Sequence, residues 1–516
     1  MALPRASLHY LDAQELKIET GDSLTMADEE QYRFGYVKQG GVGIHLYVNQ
    51  QETSALLESG TLFLLPAESR CTIYNRATQK AHVVLVRFQW TGEEPLRSSL
   101  AGQSGLNIHH LRLPQAHNWM EAFLKGNRAD LSAHFQLQSH LYALAAALME
   151  HIHHQANGPD LFDYVEQTSQ YMREHYEEPL NIEHIAQLSG ASPSRFYRAF
   201  KQYTGLSPNK YVTYIRLNAS LRLLASSNVT VAEVAHEVGY QDEYYFSRLF
   251  KKHMGLSPTE YAARAQKRLA NLSPVFHDDL TVLGINPLIS LQRGWSKQPD
   301  RYLEQIRNAR PDLIFTSPVP EDIYQRLTEI APVILLYWKR YSWKERLRKI
   351  SNALGLSTVA KWWLDHFELK VKNAQAHIRK FLGQEPFLLV SVEEDYFRVF
   401  GTQHKRIQQL FYDELQITPP AFVHHFSALN VSSLAELAAL GCDNVFFLVP
   451  ASVADTYCSE LHRKWQALKG HLVRNTCFII RYEGRLKYNA GIIDRLVDHT
   501  VVRLQKYSQE LQKNPS

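Results

Sequence analysis

The side chains of this 516-residue chain best suited to chemistry are arginines, lysines and tyrosines that recur at a fixed interval. Phe196, Arg198, Phe200, Lys201, Gly205, Leu206, Ser207, Pro208 and Tyr211 return fifty residues later as Phe246, Arg248, Phe250, Lys251, Gly255, Leu256, Ser257, Pro258 and Tyr261. Just upstream, at an offset of 49, Ile185, Ala186 and Gly190 are matched by Val234, Ala235 and Gly239. So many identities at one offset mark a duplicated structural unit. Each unit reads as a short helix, a turn carrying Gly190 or Gly239, and a second helix, the grammar of a helix-turn-helix.

On an α-helix, residues three and four apart share a face. In the first unit Phe196, Ala199, Phe200 and Tyr203 fall on one apolar face. Ser194, Tyr197, Arg198 and Lys201 fall on the other. In the second unit Phe246, Leu249 and Phe250 are the apolar set, which leaves Glu243, Tyr244, Ser247, Arg248 and Lys251 outward. A helix that reads the major groove of DNA needs such a face. Arg and Tyr reach base edges and Lys neutralises phosphate. From Ser192 to Arg222 the chain has Arg195, Arg198, Lys201, Lys210, Arg216 and Arg222 and no acid. From Tyr244 to Arg268, Arg248, Lys251, Lys252, Arg264, Lys267 and Arg268 meet only Glu260. The acids lie outside, at Glu174, Glu177, Glu178 and Glu183. The alternative, a solvated charged helix face, does not explain why the pattern occurs twice. Between the units, Tyr211 to Ala225 reads as a linker helix. Two readers so joined can meet successive major grooves, about 34 Å apart.

These stretches, above all "GLSPNKY", "GLSPTEY" and "VAEVAHEVGYQDEYYFSRLFKKHMG", resemble the DNA-binding domain of AraC/XylS-type bacterial transcription regulators. The resemblance covers about Phe162 to Arg268 and implies promoter DNA and RNA polymerase as partners. It carries base and phosphate contacts onto Ser194, Arg195, Tyr197 and Arg198, and onto Glu243, Tyr244, Ser247 and Arg248. Glu243 can accept from cytosine or cap its helix.

The elements around the readers follow from periodicity. Tyr32 to Val37, Gly43 to Val48, Thr61 to Leu65 and His82 to Phe88 are short apolar runs between turn residues, the texture of an all-β sandwich or barrel. Leu137, Leu141, Leu144, Leu148 and Ile152 stripe one face of a long helix. The AraC/XylS resemblance implies a cupin-like β domain here, followed by a dimerisation helix, and hence a possible homodimer. His45 and His82 lack the HxH spacing of a metal-binding cupin. The run His151-Ile152-His153-His154 has metal-ligand chemistry but reads more simply as a solvated helix end. No metal and no cofactor is expected.

After about Leu272, strand-like runs (Leu280 to Ile285, Leu313 to Phe315, Val333 to Tyr337) alternate with helices, an α/β pattern. "LTVLGINPLIS", "YLEQIRNARPDLIFTSP", "LTEIAPVILLYW", "WKERLRKISNALGL", "PFLLVSVEEDYFRVFG" and "LAELAALGCDNVFFLV" follow one another in this order. They resemble the periplasmic substrate-binding proteins of iron–siderophore and cobalamin importers, which implies two α/β lobes, a long connecting helix at Ser342 to Phe381, and a ligand between the lobes. The combination is similar to that of bacillibactin-responsive activators of Bacillus and their relatives. A ferric tris-catecholate is trianionic, so cations and aromatics should gather at strand ends. The candidates are Arg293, Trp295, Trp338, Lys339, Arg340, Arg398, Lys405, Arg406, Arg485 and Tyr488. A neutral ferric hydroxamate needs fewer cations.

Length at about 100–200 residues per domain allows three or four domains. The sequence divides into a cupin-like β domain (1–115), a helical dimerisation segment (116–158), a DNA-binding domain with two helix-turn-helix units (159–268) and a siderophore-sensor domain (272–516). Cys71, Cys442, Cys458 and Cys477 form no CxxC pair or disulfide framework, which fits a reducing compartment. Met1 to Glu19 lacks a signal-peptide core, and no apolar run reaches the about 20 residues of a membrane helix. GxSxG, HExxH, Walker A and GxGxxG are absent, so no enzyme is expected. The reading is a cytoplasmic activator of iron–siderophore uptake genes. The other readings are effector sensing by the N-terminal β domain, and a DNA-tethered enzyme.

Overall fold

A computed structural model of the chain describes residues 6–48, 51–75, 79–92, 101–102, 105–106, 108–126, 130–154, 161–226, 229–337, 340–403, 407–469, 476–484 and 486–513. The chain forms two compact units, Met1–Val212 and Thr213–Ser516.

The first unit opens with a β-sandwich. Strands β1 (Ala6–Ile18), β2 (Ser23–Glu29), β3 (Tyr32–Gln39), β4 (Gly41–Val48), β5 (Gln51–Glu58), β6 (Thr61–Leu65), β7 (Ser69–Tyr74) and β8 (Ala81–Gly92) precede two short strands, β9 (Ala101–Gly102) and β10 (Gly105–Leu106), and then β11 (His110–Arg112). One sheet runs β1-β8-β3-β6-β11 and the other β2-β7-β4-β5. Ile44, Leu46, Phe63, Leu65, Ile73, Val83 and Leu85 fill the space between them. The opposite face of the larger sheet is also covered. Helices α1 (Ala116–Lys125) and α2 (Leu131–His154) lie against it, so Phe34, Tyr36, Val84, Val86 and Phe88 meet Met120 and Phe123. With both faces covered, five successive residues of β3, Arg33 to Val37, are buried instead of alternating with exposed ones.

The leucine stripe of α2 enters this core. Leu137, Leu141, Leu144 and Leu148 are at most 3% exposed, packed on the sheet of their own chain. They are therefore not the dimer contact that the sequence suggested, because the larger sheet has an apolar outer face that must itself be covered. The side chains of Ile152 and of the histidine run from His151 to His154 lie outside the described residues.

Helices α3 (Leu161–Glu174), α4 (Ile182–Leu188) and α5 (Pro193–Thr204) complete this unit. Asn181 and Ser192 cap α4 and α5 through their side-chain oxygens, and Pro193 stands in the first turn of α5, where its missing N–H costs nothing. Two contacts seat α4, one on the sandwich and one on α1. Arg112 donates to Ser59 O (2.7 Å) and Leu188 O (2.8 Å), and the rings of His117 and His184 meet edge-on at 4.5 Å.

Helix α6 (Pro208–Leu224) carries the boundary between the units. The second unit then holds α7 (Val231–Glu237), α8 (Glu243–Met254) and α9 (Pro258–Ala265). Thr230 with Glu233 and Ser257 with Glu260 form capping boxes for α7 and α9. Asp242 caps α8 by accepting from Tyr244 N and Tyr245 N, so Glu243 is left free of the capping role proposed for it. The duplication persists in the packing. Tyr211 meets Phe200 edge-on at 5.4 Å, and its counterpart Tyr261 meets Phe250 edge-on at 5.8 Å.

A first α/β lobe follows, with β12 (Leu269–Asn271), α10 (His277–Thr281), β13 (Ile289–Ser290), α11 (Pro299–Ala309), β14 (Leu313–Thr316), α12 (Glu321–Thr328) and β15 (Val333–Leu335). Its sheet order is β13-β12-β14-β15, all parallel. The sheet begins at Leu269, ahead of the boundary expected at 272, because a three-residue central strand is too short to register as a pattern. Leu280 to Ile285, expected as a strand, contains the end of α10 and a turn at Gly284. Helix α13 (Trp343–Ala353) and the 25-residue α14 (Ser357–Phe381) replace the single connecting helix expected from Ser342. Ser342 caps α13, and the break falls at Gly355, whose φ of 70° ends the helix.

The second lobe has β16 (Phe387–Val392), β17 (Phe397–Phe400), β18 (Ala428–Val431), α15 (Leu434–Ala438), β19 (Asn444–Pro450), α16 (Asp455–Lys469), β20 (Cys477–Tyr482) and α17 (Ala490–Lys513). Its sheet order is β18-β17-β16-β19-β20. A wholly buried ion pair ties the start of α17 back to the first lobe. Arg346 Nε donates to Asp279 at 2.5 Å and Arg346 Nη2 to Tyr488 O at 2.7 Å, while Asp279 also accepts from Ala490 N at 2.8 Å.

Two outcomes follow. Arg346→Ala strands the Asp279 carboxylate and should cost about 3–5 kcal/mol in chemical denaturation of the full chain; a loss under about 1 kcal/mol contradicts this joint. His117 and His184 are held below the ordinary imidazole range by burial, His117 also by the neighbouring His184, with Glu121 opposing. The unfolded chain thus binds these protons more readily, so the stabilisation is present above pH 6.5, the ordinary histidine value, and fades as pH falls below it. Between pH 7 and 5 the thermal midpoint should fall more steeply for the natural chain than for His184→Leu. Equal slopes contradict the assignment.

Candidate nucleic-acid interface and effector domain

Helix α5 buries Phe196, Phe200 and Tyr203 and leaves Ser194, Arg195, Arg198 and Lys201 exposed, with Tyr197 half-buried. Helix α8 buries Phe246, Phe250 and Met254 and leaves Glu243, Tyr244, Arg248 and Lys251 exposed, with Ser247 half-buried. Both helices thus present the polar, cationic and aromatic groups assigned to them. Tyr244 is 79% exposed, a large aromatic area held in water. Gly190 and Gly239 have φ of 73° and 84°, the left-handed conformation that the turn between helices requires.

The structure adds one residue and gives two cations of the footprint a bond within the chain. Tyr245, beside Tyr244, is 50% exposed and leans on Tyr240 at 5.9 Å between centroids; Tyr240 in turn lies under the Arg216 guanidinium, 5.1 Å away. It escaped the sequence reading because its repeat partner, Arg195, shares no chemistry with it. Arg264 and Arg268 of the basic footprint are used inside the chain. Arg264 donates to Gly355 O, and Arg268 donates to Ala309 O and, through its backbone N–H, to Asp312 at 2.8 Å.

The candidate ligand residues fare unevenly. Arg293 is exposed in the turn after β13, and Arg340 is exposed beyond β15 with its guanidinium over Tyr337 at 4.9 Å. Both lie past the carboxyl ends of parallel strands, where α/β sheets bind ligands. Trp295 is 6% exposed inside the first lobe's core, against Leu291 and Leu303, so it is a packing residue and not a ligand surface. Arg398 is half-buried and tethered, donating to Tyr396 Oη at 2.7 Å and to Asn430 at 3.2 Å. It lies opposite Ser391, near the end of β16. Glu393, Glu394 and Asp395 occupy the same hairpin, so carboxylates share the rim with the cations. Tyr488 is half-buried at the joint near Arg346, its hydroxyl bonded to Gln409. Trp338, Lys339, Lys405, Arg406 and Arg485 lie outside the described residues.

In the sandwich, His45 pairs with Glu52 at 3.8 Å and His82 with Glu15 at 2.9 Å. Among the described residues no group of three or more His, Cys, Asp or Glu could hold a metal ion, and no helix is long and apolar enough to cross a membrane.

Residues 185–264 match the helix-turn-helix domain family and residues 293–440 the periplasmic binding protein family. The chain is 26% identical over 441 residues to the HTH-type transcriptional activator Btr of Bacillus subtilis, covering 78% of this chain and 80% of that protein. It is 41% identical over 97 residues to the MmsAB operon regulatory protein of Pseudomonas aeruginosa, covering 19% of this chain and 32% of that one. It is 25% identical over 231 residues to the Msm operon regulatory protein of Streptococcus mutans, covering 42% and 82%. Among solved structures, FhuD2 of Staphylococcus aureus with bound ferrioxamine B aligns at TM-score 0.37 and 16% identity, over 46% of this chain and 98% of that one. FeuA of Bacillus subtilis aligns at TM-score 0.37 and 15% identity, over 46% and 93%. One chain therefore carries a helix-turn-helix match followed by a periplasmic-binding-protein match, and the three relatives named above are a transcriptional activator and two operon regulatory proteins.

On a duplex selected in vitro by the full chain, Arg198→Ala and Arg248→Ala should each weaken binding by about 1–3 kcal/mol in fluorescence anisotropy at fixed salt. Lys201→Ala and Lys251→Ala should each lower the salt slope by about 1. Unchanged binding in both arginine variants means that α5 and α8 are not the readers.

Proposed function

We propose that this chain is a ligand-responsive transcriptional activator of iron–siderophore uptake genes, acting in the cytoplasm. In this reading residues 159–268 bind promoter DNA, and residues 272–516 hold a ferric siderophore between their two lobes. The observation that carries it is the pairing, on one polypeptide, of two exposed cationic reading faces with a binding-protein domain. A ligand that binds one arrangement of the lobes more tightly shifts the chain toward that arrangement, and it changes DNA affinity by the difference. RNA polymerase is the expected further partner of an activator. A homodimer would need a surface other than the leucine stripe of α2.

A second reading, effector sensing in the first unit, is favoured by one observation. An open polar cleft of about 530 Å³ lies where α4 meets the sandwich, lined by Gly41, Glu58, Ser59, Arg112, Gln187 and Gly190.

Titration of the full chain with ferrioxamine B and, separately, with a ferric tris-catecholate tests the first reading. One of the two should quench tryptophan fluorescence and change affinity for the selected duplex by about tenfold, a coupling of about 1.4 kcal/mol. No response to either removes the siderophore, and a response that survives disruption of the lobes favours the second reading.

A further inference from the structure

Within the second unit, the second helix-turn-helix is built onto the helix that joins the two lobes. Tyr214 of α6 stacks on two rings of α14, on Trp362 at 5.2 Å and 30° and on His366 at 4.7 Å and 25°. Those two rings meet each other at 4.6 Å, and His366 Nδ1 bonds Trp362 O at 2.8 Å, which fixes the stack to the helix backbone. One turn earlier, the loop closing α8 touches the same helix. A Cβ on Gly255 would stand 3.1 Å from Thr358 Cβ. Below, the hydroxyl of Tyr261 donates to Leu283 O at 2.7 Å, and Arg264 reaches Gly355 O, just before α14 begins.

The far half of α14 belongs to the second lobe and to α17. Gln375 donates to Glu414 O at 2.7 Å, and His377 pairs with Gln505 at 3.1 Å. Midway, Lys370 sits between Asp494 and Asp498 of α17 at 2.6 and 3.0 Å. A hydrogen-bonded helix of this length, about 37 Å at 1.5 Å per residue, transmits a displacement better than it absorbs one. From the Tyr214 stack a second set of contacts continues along α6 to the reading face, through Arg216, Tyr240 and Tyr245.

We propose that the Tyr214–Trp362–His366 stack couples the binding-protein lobes to α8, so that effector occupancy acts on DNA through the second reader. This rests on the function proposed above only in taking the lobes as the sensor. The proposal requires a coupling that is reciprocal: DNA held by α8 must alter the first turns of α14 just as the sensor alters α8. It also makes Tyr214, Trp362 and His366 positioning residues that never touch DNA or ligand.

The test uses the full chain and a selected duplex, with amide hydrogen exchange read across residues 357–368. In the natural chain and in Tyr214→Phe, which keeps the ring, the duplex should slow exchange there by about threefold or more. Tyr214→Ala should bind the duplex within about threefold of the natural chain and lose that protection. His366→Ala, which breaks the stack from the α14 side, should do the same. Protection retained in either alanine variant overturns the proposal, as does its absence from the natural chain. Ferrioxamine B and a ferric tris-catecholate are then added to the natural chain alone. Failure of both to change duplex affinity rejects the siderophore, while the exchange result still decides whether the stack couples reader to sensor.

Discussion

A helix of a globular domain can bury only one stripe of its surface, and in α5 and α8 a pair of phenylalanines claims it. Phe196 and Phe200, like Phe246 and Phe250, are fully buried, and each side chain gains about 1.5–3 kcal/mol by leaving water. No charged group on the opposite face gains anything comparable from being buried. The orientation of both helices is therefore decided by their aromatic pairs, and Arg198, Lys201, Arg248 and Lys251 are turned outward as a consequence. Tyr211 and Tyr261 lock the arrangement by closing edge-on over Phe200 and Phe250. The reading faces are the remainder of a packing problem solved twice.

What surrounds each reader differs. The first is seated on a β-sandwich by Arg112, whose guanidinium serves two backbone carbonyls, and on the neighbouring α1 by two histidines whose pKa is lowered by burial. The second is continuous with an α/β lobe. Only three residues separate α9 from β12, the strand at the heart of that lobe's sheet. Two copies of one module have thus acquired different neighbours, a sandwich for one and a ligand-binding architecture for the other. The proposed function needs that asymmetry, since a single effector can then act on one half of the DNA contact while the other holds its place.

The sequence made the readers legible because three signals coincided: a fixed offset, a helical apolar period and a one-signed charge run. It also disclosed four of the sandwich strands, β3, β4, β6 and β8, and, in the first lobe, the strand at Leu313 to Phe315 and the start of the run from Val333 to Tyr337. It misjudged places where local pattern and tertiary use diverge. Leu280 to Ile285 is apolar enough for a strand but is capped into a short helix and turn. Trp295 looked like a ligand ring and is a core ring, because periodicity does not say which side of a lobe a turn faces. Arg264 and Arg268 count as cations in any window of sequence, yet each also gives a guanidinium donor to a carbonyl tens of residues away. The Tyr214 stack spans about 150 residues of chain and leaves no local trace, nor does the buried Arg346–Asp279 pair. Such long-range pairings are invisible to spacing and charge alone.

Hydroxyl-radical footprinting of the full chain on its selected duplex tests the central claim most directly. Two duplicated readers should protect two tracts of backbone centred about 10 base pairs apart on one face of the helix. A single protected tract, or none, would contradict the account of a paired DNA reader.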